Sequence, residues 1–202
     1  MKLSIPAILA AALLSGCTTA YSSTVEVTRF VGEAPAALGR GSIEVRLGAT
    51  EAAAPAFAPG SFEAPAFRTA VAQELQRLGY QVVDGGGDQV AELWLDRAVD
   101  RPGPQRSPVS VGVGGSTGSY GSGVGLGVGI NLGGSGPREV IDRQLRVVIR
   151  PAAGGQALWE GRARFDATGN SDFADPQAAA DRLARALFGD FPGRSGETVE
   201  VE

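Results

Sequence analysis

Apolar residues recur at every second position in several short stretches of this chain and at helical spacing in two longer ones. Thr24 to Phe30 alternates, with Val25 and Val27 on one face, and Ile43, Val45 and Leu47 repeat the pattern, so both stretches predict strands. A Gly/Ala/Pro turn region lies between them, and residues 49–60, with Pro55 and Pro59, read as an irregular link. A helix is expected from near Ser61 or Pro65 to Leu78, because Phe67, Val71, Leu75 and Leu78 make one apolar stripe. Gly79 supplies its stop, since glycine tolerates the left-handed cap conformation. Tyr80 to Val83 enters a strand, Asp84 to Asp88 is a turn, and Val90 to Val99 is another strand. In that strand Ala91, Leu93 and Leu95 share one face, and Glu92, Trp94 and Asp96 the other.

Further along, Leu145, Val147 and Ile149 mark one strand, and Ala157, Trp159, Ala163 and Phe165 a second, with Gly154-Gly155 at the turn. Asp175 is placed to cap a final helix that starts at Pro176, buries Ala179, Ala180, Leu183 and Leu187, and stops near Gly189. Residues 193–202 form an acidic tail, of which Glu197 to Glu202 shows little reason to fold. The expected class is α+β: a mostly antiparallel sheet packed by two helices, in a single domain over 24–192. No domain boundary or solenoid-length repeat interrupts it.

Between the two halves lies a segment of different character. Twelve of the chain's 30 glycines fall between Gly112 and Gly136. Val109, Val111 and Val113 alternate with small residues, as do Val124, Leu126, Val128, Ile130 and Leu132, around Gly114 to Gly123. That predicts a glycine-rich β-hairpin insertion at about 109–136, aliphatic on one face and nearly bare backbone on the other. Glycine weakens strands, so such a hairpin is either flexible or held against something. A partner sheet, peptide or membrane surface, an idle low-complexity insertion, and self-association all fit the pattern.

Composition narrows the chemistry. The chain has no histidine, one cysteine and a single lysine, Lys2. The commonest general base and zinc ligand is therefore missing, as are a lysine Schiff base and a phosphate-loop lysine beyond residue 2. Acid–base work falls to Asp, Glu or Tyr, and cation work to Arg. The expectation is a non-enzyme without metal, cofactor or nucleotide. A net charge of −4 with scattered arginines gives no footprint for nucleic acid. Arg143, Arg146 and Arg150, the tightest arginine group, read as the polar edge of a strand.

The N-terminus changes the picture most. Met1-Lys2 is a short positive region and Leu3 to Leu14 an uncharged apolar one, of signal-peptide length and too short to span a bilayer comfortably. Leu14-Ser15-Gly16-Cys17 resembles the lipobox of bacterial lipoproteins, in which a signal peptidase cuts before a lipidated cysteine. The resemblance implies a signal peptide over 1–16, peptidase recognition at Leu14, Ser15 and Gly16, and a di- or triacylated Cys17 followed by a lipidated tether over 17–23. One acyl chain holds weakly, at about 0.8 kcal/mol per buried methylene, and two or three hold almost permanently. Thr18 stands where aspartate is the usual inner-membrane retention signal in enteric bacteria, which favours the outer membrane, facing the periplasm.

Other motifs have plainer readings. Gly114-Gly115-Ser116-Thr117-Gly118 matches the nucleophile-elbow pattern, but no helical pattern follows and no histidine exists to pair with the serine. Asp84, Asp88 and Asp172 read as solvated turn residues, Asp175 as a cap, and Trp159 as core. Asp96/Asp100 forms a further carboxylate pair, and Glu92 with Asp96, beside Trp94, is the least bland.

The order of elements carries one more resemblance. Leu75-Gln76-Arg77-Leu78-Gly79-Tyr80, Trp159-Glu160-Gly161 and Phe191-Pro192 follow in the order and spacing of the domain-of-unknown-function 4136 lipoproteins. The resemblance implies an α+β envelope lipoprotein without catalytic activity, and no functional residue beyond the lipid-attachment cysteine. The expected role is a non-catalytic, lipid-anchored binding or structural module with an unknown envelope protein or lipid partner. An auxiliary lipid- or glycolipid-trafficking role is the first alternative, and a hydrolase using Asp/Glu or Ser without histidine the second.

Overall fold

The computed structural model describes residues 20–48, 62–100 and 139–202, together with the backbone of 109–118 and 121–130. Leu14, Ser15, Gly16 and Cys17 lie outside the described residues. Strands β1 (Val25–Val31) and β2 (Ser42–Leu47) are followed by helix α1 (Ala64–Arg77), β3 (Gln81–Val83) and β4 (Gln89–Asp100). Among the described residues, strands β5 (Val109–Gly118) and β6 (Gly121–Ile130) pair with each other as a separate two-stranded sheet. The chain continues through β7 (Val140–Pro151), β8 (Trp159–Thr168), helix α2 (Pro176–Phe188) and β9 (Thr198–Val201).

Among the described residues, seven strands form one sheet in the order β3-β2-β4-β7-β8-β1-β9. The sheet is mixed. Its pairings from β4 to β9 are antiparallel, whereas β2 runs parallel to both β3 and β4. The expected turn at Asp84–Asp88 does not fold β3 back on β4. It carries the chain past the start of β2, so that β3 and β4 flank that strand. Only glycine fits the crossing, since a Cβ at Gly87 would lie 2.8 Å from the Glu44 nitrogen. β2, α1 and β3 thus form a small parallel crossover unit.

Both helices lie on one face and touch each other, α1 over β2 and β3, and α2 over β8, β1 and β7. Phe67, Val71 and Leu75 of α1 are fully buried, as are Ala179, Ala180, Leu183 and Leu187 of α2. They meet Val25, Val27, Ile43, Leu93, Leu145, Val147 and Ile149 from the sheet in one core. Gly79, at φ +99°, ends α1 and lets the Tyr80 amide turn back to the Leu75 carbonyl at 3.1 Å. Asp175 caps α2, accepting from the amides of Gln177 and Ala178 at 2.9 and 3.0 Å.

Two expectations are corrected. The end of the acidic tail folds: β9 is an edge strand on β1, with Val199 and Val201 against the core and the Thr28 and Thr198 hydroxyls 2.7 Å apart. Arg143 does not share the polar edge with Arg146 and Arg150. Its odd position on β7 turns it inward, where it is 1% exposed.

Candidate functional site

The face of the sheet opposite the helices is where charged chemistry collects, and no described element covers it. Residues at even positions on β4, β7, β8 and β1 point there, so register alone builds rows of charged side chains across the strands. One row runs Arg46, Glu92, Val148, Glu160, Phe30, and the next runs Trp94, Arg146, Arg162, Thr28. Glu92 is held between Arg46 at 2.8 Å and Arg150 at 3.0 Å. Glu160 sits between Arg146 at 3.0 Å and Arg162 at 2.7 Å. Burial pushes the Glu160 carboxyl up, and the hydrogen bonds and charges of the two arginines reverse it, leaving the group below its ordinary range. Val148, outward by register, is only 2% exposed because its long charged neighbours cover it.

Trp94 is not an open stacking platform. A Cβ at Gly48 would collide with its indole, so the ring lies against that glycine, and the Arg146 guanidinium stands 5.0 Å over its centre. Glu92 and Asp96 share the face, as expected, but four strand residues separate them by roughly 13 Å. Glu92 is committed to two arginines and Asp96 is exposed, so the pair does not converge on one reacting atom. Asp96 and Asp100 are separated equally along β4.

The other acidic candidates resolve into local structure. The Asp88 carboxylate accepts from the Ser42 hydroxyl at 2.6 Å and the Ser42 amide at 3.3 Å. Those bonds lower its pKa and tie the start of β4 to the start of β2. Asp84 is exposed, Asp172 lies in the turn before α2, and Asp175 is the cap already described. Ser116 lies on β5, paired with Gly123, and no helix follows it among the described residues.

One close carboxylate pair was not foreseen. Asp142 and Asp166 are direct cross-strand partners, and Arg164 pairs with Asp142 at 2.8 Å. Partial burial, with the hydrogen bond and charge of Asp142, raises the Asp166 pKa. An acid with a raised native pKa carries a penalty that is absent below the ordinary aspartate range and grows as pH rises through the native value. Asp166→Asn is therefore expected to raise the thermal midpoint at pH 7, with the gain vanishing towards pH 3. Melting curves across that range check it; a gain independent of pH would contradict it.

Sequence reasoning also missed two buried arginines, Arg29 and Arg143, and a half-buried one, Arg182. Arg29 donates to the carbonyls of Ala186 and Leu187 at 2.9 Å each, at the C-terminal end of α2 where a cation is favoured. Arg143 donates to the Phe173 and Ala174 carbonyls, both at 2.8 Å, and to the Glu63 carboxylate at 3.3 Å. Arg182 donates to the Ser23 carbonyl at 2.9 Å and lies 4.3 Å over the Phe173 ring. Each ties a helix or its lead-in to the sheet. Of the three, Arg182 also borders the cleft beside α2.

Two clefts flank the helices. One of about 400 Å³ lies beside α1 and β3, where Val45, Pro65 and Ala72 meet Arg68, Gln73 and Asp84. The other, of about 550 Å³, lies beside α2 between Phe173, Arg182, Arg185 and Val201. No group of three or more metal-binding side chains occurs among the described residues.

Trp159 completes the inventory. Its ring is fully buried, stacks on Phe188 at 5.3 Å, tilts against Phe191 at 5.2 Å, and donates from Nε1 to the Pro192 carbonyl at 2.9 Å. A Cβ at Gly161 would collide with the same ring and with Leu187. The Trp159-Glu160-Gly161 and Phe191-Pro192 motifs thus meet in one aromatic cluster.

No known family model matches the chain. Over 47 residues, 23% of its length, it is 57% identical to the uncharacterized protein ZMO1243 of Zymomonas mobilis subsp. mobilis, and that match spans 18% of the relative. Among solved structures, a PDZ domain protein from Parabacteroides distasonis superposes with a TM-score of 0.49 at 11% identity, over 89% of this chain and 39% of that one. The PelC dodecamer from Paraburkholderia phytofirmans superposes at 0.40 and 12%, over 85% and 99%. Likeness at this level says nothing of activity.

Proposed function

We propose that this protein is a non-catalytic lipoprotein of the outer membrane, facing the periplasm, whose α+β domain binds or supports other envelope components. The observation that carries the reading is the Met1–Cys17 segment with its Leu14-Ser15-Gly16-Cys17 end. A described fold follows it closely. Tyr21 already bonds to β8, its amide donating to the Thr168 hydroxyl at 3.0 Å and its carbonyl accepting from the Thr168 amide at 2.9 Å. Acyl chains on Cys17 would hold the domain within a few residues of the bilayer. The likeness to domain-of-unknown-function 4136 lipoproteins supports the same role.

The charged face supports binding rather than chemistry. Glu92 and Glu160 are each engaged by two arginines rather than facing a cleft. A lipid-trafficking role would want a continuous apolar groove between α1 and the sheet. Phe67, Val71 and Leu75 fill that interface, and the cleft beside it carries Arg68, Gln73 and Asp84. The scaffold reading is therefore favoured over the carrier.

Mass spectrometry of the protein purified from membranes tests the anchor. The N-terminal peptide is expected to start at an acylated Cys17, and Cys17→Ser to abolish outer-membrane retention. An unmodified thiol, with the wild-type protein free in the periplasm, would overturn the reading.

A further inference from the structure

β4 and β7 pair to their last residues, Asp100 opposite Val140, and the chain between them contains β5 and β6. The β5–β6 register runs from Val109 opposite Ile130 to Gly118 opposite Gly121. It places Val109, Val111 and Val113 on the same face as Leu126, Val128 and Ile130, and gives Gly112, Gly114, Gly125 and Gly127 to the other. The sequence holds no charged residue from 107 to 137. Over 109–114 and 125–130 the ribbon is thus aliphatic on one face and glycine with Ser110 on the other, and it is uncharged throughout.

The ribbon is joined in sequence to the ends of β4 and β7. Val140 pairs with Thr168 on β8, and Thr168 bonds to Tyr21. Asp100, Val140, Thr168 and Tyr21 therefore form one end of the sheet, about 14 Å across at ordinary strand spacing. The described chain begins at that same end, at Ala20, three residues beyond Cys17 in sequence.

From this convergence we infer that the β5–β6 ribbon is a second membrane contact, laying its aliphatic face on the lipid surface that receives the N-terminus. The inference rests on the proposed anchor for its orientation. A two-stranded ribbon has two open edges whose amides and carbonyls need water or headgroups, so it lies in the interface and does not span the bilayer. The glycine face then meets water, where bare backbone is readily solvated.

The test uses the full chain matured in cells and reconstituted in phosphatidylethanolamine/phosphatidylglycerol vesicles. An acylated Cys17 leaves no other thiol. Val128→Cys and Gly127→Cys can then each carry an environment-sensitive dye. The dye at 128 is expected to shift to the blue and be quenched at least fivefold more strongly than that at 127 by a hydrocarbon-borne quencher. Equal, water-like emission at both positions overturns the inference. So does a difference that persists in detergent and grows with protein concentration, which would mean self-association. If Cys17 proves unmodified, it is replaced by serine and the labelled chains are added to preformed vesicles. Retained alternation there upholds the ribbon while the anchor falls, and lost alternation with an acylated Cys17 does the reverse.

Discussion

Trp159→Ala is expected to destabilise the fold by about 3–5 kcal/mol, the range for deleting a fully buried aromatic side chain. The ring is enclosed by Phe188 and Phe191, and its removal strands the Pro192 carbonyl that accepts from Nε1. Collapse into the space is resisted because β8 is paired on both sides, with β7 and β1. For a domain of this size the midpoint of thermal melting should fall by roughly 10 °C. Trp159→Phe keeps a ring but loses volume and the Nε1 bond, so about 1–2 kcal/mol is expected. Urea titration followed by far-ultraviolet dichroism measures both. A loss under about 1 kcal/mol for the alanine variant would mean the cluster does not hold β8 to the chain beyond α2.

Arg143→Ala is the second large effect, about 3 kcal/mol or more, because one guanidinium serves three acceptors on two separate parts of the chain. Phe173 and Ala174 belong to the turn that leads into α2, and Glu63 precedes the first residue of α1. Truncation leaves two carbonyls and a largely buried carboxylate short of donors; among the described residues Glu63 keeps its ion pair with Arg97, at 3.5 Å. Arg143→Lys restores charge without the planar fork and should recover part of the loss. The double variant Arg143→Met with Glu63→Gln should cost less than the sum of its parts, since neither leaves the other's charge stranded. Hydrogen exchange adds a separate readout: amides in the first turns of α1 and α2 should exchange faster in Arg143→Ala, while those of β8 change least. Uniform acceleration would refute the pinning role.

The open face has a different logic from these buried ties. Its arginines and carboxylates are arranged by register, and the arginines are 37–51% exposed, so individual pairs contribute little to stability. What they provide is a surface of paired arginines and carboxylates, with Trp94 held between Gly48 and Arg146. Such a surface suits a partner of complementary pattern better than a small reactive substrate.

Much of this molecule could be read from residue order. The stripe Phe67, Val71, Leu75 specified α1, Asp175-Pro176 specified the start of α2, and alternation on β4 put Glu92, Trp94 and Asp96 opposite Leu93 and Leu95. Those signals are local: periodicity reports which face of a segment is buried, and caps act within a turn. The N-terminal likeness to a lipobox is also purely sequential, carried by Leu14-Ser15-Gly16-Cys17.

Tertiary structure alone decided pairing partners and the fate of charges. Alternation cannot say whether a neighbouring strand is parallel, so the crossing at Gly87 that sets β3 and β4 on either side of β2 was invisible in sequence. The Val199/Val201 alternation is too short to predict β9 until β1 offers it an edge. Arg143 looked like its outward neighbours, because the carbonyls that make burial tolerable lie thirty residues away and converge only once α2 has docked.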